Sequence, residues 1–161
     1  MKPAKSRVRE WLAVTLLAAT VSLVLALTMG PTPLDQGFES TVDRLLAILH
    51  RNGVPAWFGY NKLEFSANVL MFIPLGFLIS TLLPVRVWWL ALIATPILSI
   101  AIELTQATLL TARFATVADV LANSIGGLIG AIAAVGLRYV VHKRDEAIVA
   151  RALWDRAHSA N

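Results

Sequence analysis

Four long apolar stretches, separated by short polar ones, organise this chain. The first, residues 11–29, carries no charge and is stopped by Gly30-Pro31-Thr32-Pro33. The second, about 67–83, ends at Pro84-Val85-Arg86, and the third, 87–110, opens on Trp88-Trp89. The fourth, about 117–141, leaves into Lys143 and Arg144. Each is close to the roughly 20 residues needed to cross a bilayer as a helix. The pattern therefore predicts an all-α membrane protein with four transmembrane helices. A basic tail (1–10) precedes them and a charged tail (142–161) follows, the latter with a weak helical stripe through Ile148, Val149, Ala152 and Leu153.

The only sizeable loop, 30–66, has a pattern of its own. Val42, Leu45, Leu46 and Leu49 fall at i, i+3, i+4 and i+7, the spacing of one helix face. Ser40 followed by Asp43 reads as a capping box, and Asn52-Gly53 before Pro55 as the stop. With Trp57, Phe58 and Tyr60 after it, this short helix is expected to lie at the membrane interface or cap the bundle. Packing against the bundle is the plainer alternative.

Composition narrows the class. At 161 residues and 57% hydrophobic content, with mean hydropathy +0.69, one small membrane domain fills the chain. The absence of cysteine removes thiol chemistry and Cys-based metal sites, and His50, His142 and His158 have no metal-ligand spacing. No metal and no cofactor are expected. The first stretch exceeds the usual apolar core of a signal peptide and lacks a small-residue cleavage site, so a retained helix is expected.

The net charge of +4 reads as topology, not as a nucleic-acid footprint. Of the 14 Lys and Arg, all but Arg44, Arg51, Lys62 and Arg113 fall in the two tails, in the turn at Arg86 or at Arg138. The richer side should be cytoplasmic, which puts both termini inside and Arg113 at the extracytoplasmic face.

The candidate chemistry lies around the turn between the third and fourth stretches. Glu103 is the one charge in 87–110. A charged side chain deep in hydrocarbon costs about 3 kcal/mol on insertion scales, so such a residue is a functional candidate by default. Gln106 shares its helix face, Asp119 and Asn123 share a face of the next helix, and Arg113 stands between. A short turn forces the two helices into an antiparallel hairpin, in which the polar faces can meet. Asn68, at the start of the second stretch, could join them. Arg113 is the expected partner of Glu103. A rival arrangement pairs Arg113 with Asp119 and leaves Glu103 hydrogen-bonded to Asn123 or Gln106.

Packing has its own signature. Ala118, Ala122, Gly126, Gly130 and Ala134 recur every fourth residue, and Gly127 and Ala131 continue the Asp119–Asn123 row. Small residues at this spacing let another backbone approach closely, in a tight hairpin or a homo-oligomer. Pro74 and Pro96 lie inside the second and third stretches and are expected to kink them.

Taken in order, Asn68-Val69-Leu70-Met71-Phe72-Ile73-Pro74-Leu75-Gly76, then Glu103-x-x-Gln106, Arg113 and Asp119-x-x-x-Asn123-x-x-Gly126-Gly127 resemble the VanZ-like family of bacterial membrane proteins. The likeness covers about 64–134. The turn before the arginine, Leu110-Thr111-Ala112, lacks the glycine or proline common in that family. The resemblance implies a multi-pass bacterial plasma-membrane protein; the family's namesake is associated with reduced susceptibility to the glycopeptide teicoplanin. It carries Glu103, Gln106, Arg113, Asp119 and Asn123 as the candidate site. Membrane lipids, a lipid-linked cell-wall precursor or a lipoglycopeptide are the expected partners, and nucleic acid is not. An enzyme using Glu103 and Asp119 as acid and base, or an assembly subunit, are the alternatives. Against the enzyme stands the lack of an activated nucleophile, a phosphate loop or a metal triad.

Overall fold

The computed structural model describes residues 7–28, 39–109 and 116–158, and the regular structure among them is all helical. Its elements are α1 (Arg7–Thr28), α2 (Glu39–Arg51), α3 (Tyr60–Leu82), α4 (Ala91–Leu109) and α5 (Val117–His158). A 3-10 segment, Val85–Leu90, leads into α4 and breaks at Val87, whose φ of −122° and ψ of 19° lie outside the helical region. Among the described residues, four helical segments are long and apolar enough to span a membrane: Glu10–Thr28, Tyr60–Leu82, Val85–Thr108 and one within Val117–His158. Their directions alternate: the end of α1 meets α4 at Gln106 and the starts of α3 and α5 meet at Asn68 and Asp119, while the end of α3 meets α5 at Arg138.

Two boundaries differ from the hydropathy reading. α3 starts at Tyr60, seven residues before the expected onset at 67. Gly59 O accepts from Lys62 N and Leu63 N at 3.1 Å each, so the charged turn through Lys62 and Glu64 is already helix. The second difference is larger. α5 runs for 42 residues without interruption, so the charged tail continues the fourth span. At 1.5 Å per residue it is about 63 Å long, twice the hydrocarbon thickness. From Val140 to His158 every residue is exposed, which puts this half of the rod beyond the bundle.

The bundle is built around α3. Phe72 and Leu75 of α3 are fully buried with Val24 of α1 and Ile102 of α4, and Leu17, Val21, Met71, Ile79 and Leu98 pack around them. α1 rests on α3, and little of its surface is covered. Most large apolar side chains point outward (Leu70, Ile97, Leu104, Leu121 and Ile132 among them), as a bundle solvated by lipid requires.

The tightest seam joins α3 to α5. A Cβ on Gly126 would run into Val69 O, one on Gly130 into Ile73 O, and one on Gly76 into Gly127 O. Ala122 and Ala134 on the same row are buried, whereas Ala118 is exposed. The small-residue strip is thus spent inside the chain. Its partner is α3, not the hairpin neighbour α4, because α4 meets the adjacent row through polar side chains. Pro74 and Pro96 sit inside α3 and α4 as expected, without ending either helix.

At the terminal end, Arg138 of α5 donates to the carbonyls of Thr81 and Leu83. Thr81 O is among the last carbonyls of α3, which have no partner within the helix, and Leu83 is the residue that caps it. The guanidinium therefore ties the seam shut where α3 stops.

Candidate functional site

At the other end of the bundle the polar side chains gather around the first turn of α5. Thr116 is its N-cap. The Asp119 N–H donates to Thr116 Oγ1 at 3.1 Å, and that hydroxyl donates onward to Asp119 Oδ2 at 2.6 Å. In the usual capping box, the acid at the third helical position also accepts the N-cap residue's own N–H. Here Glu103 of α4 takes that role: Thr116 N–H donates to Glu103 Oε2 at 3.2 Å. Asp119 is freed to use Oδ1, which accepts from Asn68 Nδ2 of α3 at 2.7 Å. One network, Glu103–Thr116–Asp119–Asn68, thus links α4, α5 and α3.

The electrostatics favour this arrangement. The amide dipoles of α5 leave partial positive charge at its start, and two carboxylates from different helices stand there. Glu103 is only 8% exposed, so the bond to a backbone N–H offsets part of its desolvation. Asn68 and Asp119 are half-buried.

The remaining candidates sort differently from the expectation. Asn123, 4% exposed, donates from Nδ2 to Ser99 Oγ at 2.8 Å, and its Oδ1 has no partner among the described residues. It does not pair with Glu103. Gln106, 7% exposed, donates from Nε2 to Thr28 O at 2.8 Å, and so clamps the end of α1 instead of facing α5. Three residues along a helix turn the side chain by about 60°, enough to send Glu103 and Gln106 to different neighbours. Ser40, read as a helix cap, lies inside the first turn of α2, which begins at Glu39. Arg113 lies outside the described residues.

Sequence reading missed Thr116, Ser99 and Thr95. Thr116-x-x-Asp119 is itself a capping-box pattern, and Thr95, Ser99 and Glu103 recur every fourth residue on one face of α4. Both signals were in the chain. Thr95 and Ser99 are fully buried, and a Cβ on Gly127 would strike Thr95. Beneath Glu103, a polar row thus fills the seam between α4 and α5. Among the described residues no group of His, Asp and Glu is arranged to hold a metal ion.

Four long apolar helices, with carboxylates and amides gathered at one end, define a multi-pass α-helical membrane protein. The chain belongs to the VanZ/LLP1 family, whose model matches residues 11–139 and so takes in all four spans and the whole network. No curated protein and no solved structure matches it.

Proposed function

We propose that this protein binds the polar head of a lipid-linked envelope component at the end of the bundle where Asn68, Glu103, Thr116 and Asp119 meet. The observation that supports the reading is the convergence of two carboxylates from different helices on Thr116, beside a connection that carries Arg113 in its sequence. A guanidinium suits a lipid phosphate, and carboxylates suit the hydroxyls and amines of a sugar–peptide head. The charge bias supports an orientation with both termini in the cytoplasm and this end at the outer face, where such heads are displayed. Teicoplanin-type susceptibility, which the family name suggests, falls within the same chemistry: a lipoglycopeptide also offers a sugar–peptide head on an acyl chain.

A second reading has an observation behind it as well. The bonds that Glu103 and Asp119 make to Thr116 cap α5, so the network also serves as architecture. Complementation separates the two. Cells lacking the protein receive wild type, Arg113→Ala or Glu103→Gln, and membrane level is measured beside sensitivity to lipid-binding envelope antibiotics. Variants present at the wild-type level that fail to complement establish a working site. Variants that disappear from the membrane establish a structural one. Full complementation by both overturns the binding reading.

A further inference from the structure

Among the described helices, α2 is the one that the bundle does not claim: it packs extensively on none of the spans. It is nonetheless well formed. Gly53 takes a φ of 95°, the left-handed turn that closes a helix, and Gly53 N donates to His50 O at 3.2 Å while Val54 N donates to Leu49 O at 3.1 Å. The chain then folds back, with His50 Nε2 3.0 Å from Phe58 O and Phe58 N donating to Pro55 O at 2.9 Å. α3 begins directly at Tyr60 as a span. Bonded to a connection this short and this ordered, α2 has to stay at the depth where α3 enters the bilayer.

Its surface suits that depth. Val42, Leu46 and Leu49 are half-buried, but the same stripe continues into Leu45 and Ile48, which are 43% and 50% exposed. Asp43 and Ala47, both exposed, lie on a different face, about 100–160° around the helix from Leu45 and Ile48. Beside α2 stand Trp57, 66% exposed, and Tyr60, side chains that favour the boundary between headgroups and acyl chains. Lys62 Nζ lies 3.6 Å from the centroid of the Trp57 ring, which puts an ammonium at the same level.

We infer that α2 and the turn through Trp57 and Lys62 form a lipid-docking surface on the leaflet at that end of the bundle. Leu45 and Ile48 enter the acyl boundary, and Lys62, steadied by the Trp57 ring, meets the phosphate of a phospholipid headgroup. The occupant is the leaflet itself, since an apolar edge tethered at bilayer depth meets lipid before any other apolar phase. Different residues carry this surface and the Asn68–Asp119 network, so either reading can fail while the other stands.

The chain has no cysteine, so single-cysteine variants take a spin label at one place only. Leu45→Cys, Ile48→Cys, Asp43→Cys and Ala47→Cys are placed in nanodiscs of phosphatidylcholine and phosphatidylglycerol in equal amounts. Collision with oxygen, which concentrates in lipid, is compared with collision with a water-soluble nickel chelate. The expected result is an oxygen-to-nickel ratio several-fold higher at 45 and 48 than at 43 and 47. Equal access of nickel to all four labels, which would place α2 in water, overturns the inference. So does protection of 45 and 48 from both reagents, which would place α2 against protein. Discs of phosphatidylcholine alone test the headgroup: an unchanged ratio there assigns the contact to the shared phosphate, and a ratio that falls to the level of 43 and 47 overturns that part.

Discussion

α5 presents two adjacent rows to two neighbours, and they are built in opposite ways. Toward α3, the Ala122, Gly126 and Gly130 row has no side chains to speak of, and the backbones themselves touch. Toward α4, Asn123 bonds to Ser99 and the Thr116 cap joins Glu103, while the ends of the same row, Asp119 and Gly127, also reach Asn68 and Gly76 of α3. In lipid there is no hydrophobic drive to bring helices together, so close packing and hydrogen bonds take its place. The packed seam has no room to adjust. The bonded seam can lose one partner and keep its geometry.

The sharpest way to break the comparison is Gly126→Leu, with the largest expected effect. Its Cβ would collide with a backbone carbonyl, Val69 O, and a carbonyl inside a helix cannot rotate away. A cost of about 3 kcal/mol or more is expected, at the upper end for overpacking. Unfolding in a mild-to-denaturing detergent series, followed by circular dichroism, measures it. Gly136→Leu is the control on the same helix, since a Cβ there meets nothing within 4 Å. Equal stability of the two variants would show that α5 does not rest on α3 through this strip.

The bundle was legible in the sequence because hydropathy responds to hydrocarbon, which every span must face. It marks where the membrane ends, not where a helix ends. For that reason Lys62 and Glu64 read as loop although α3 already includes them, and the charged stretch from Lys143 to Arg156 read as a separate tail although α5 continues through it. The site was legible to the same extent. Glu103, Asp119 and Asn68 stand out as rare polar groups in apolar runs. Thr116, Ser99 and Thr95 do not, because hydroxyls are common in membrane helices and often bond only their own backbone, as Thr95 does with Ala91 O at 3.0 Å. Which neighbour a polar side chain reaches depends on helix rotation, and Gln106 shows that a single turn is enough to change it.

Within the bonded seam, Glu103 should separate charge from shape. Glu103→Leu leaves Thr116 N–H without this acceptor, and the expected cost is about 1–3 kcal/mol. Glu103→Gln retains a carbonyl oxygen at the same place, and about 1 kcal/mol or less is expected. The unfolding series used for Gly126 ranks the two. If Gln proves as destabilising as Leu, the negative charge at the start of α5, and not the hydrogen bond, is what the helix requires.

Thr116→Ala removes the cap itself and should cost about 1 kcal/mol. The loss should be local. Faster amide exchange is expected at residues 118–120, with the Gly126–Gly130 stretch unchanged because α3 holds it. Exchange that spreads along the whole of α5 would mean that the first turn anchors the rod, and the two rows would then not be independent.

The smallest effect should come from the pair deepest in the bonded seam. Asn123 Nδ2 and Ser99 Oγ are 2.8 Å apart and fully desolvated, a setting in which a hydrogen bond is often assumed to be strong. Measured couplings between polar side chains in membrane helices average only about 0.6 kcal/mol, because the separated state also finds partners. Asn123 Oδ1 already lacks a partner among the described residues, so Asn123→Ala removes an unsatisfied acceptor together with the bond. The two consequences oppose each other. The single variant should therefore be close to neutral, while the cycle with Ser99→Ala still reports a favourable coupling of about 0.6 kcal/mol. A coupling near zero would reduce the bonded seam to its outer members, Glu103, Thr116 and Asp119. One above about 2 kcal/mol would make Asn123 as rigid a fixture as Gly126, and the contrast between the rows would disappear.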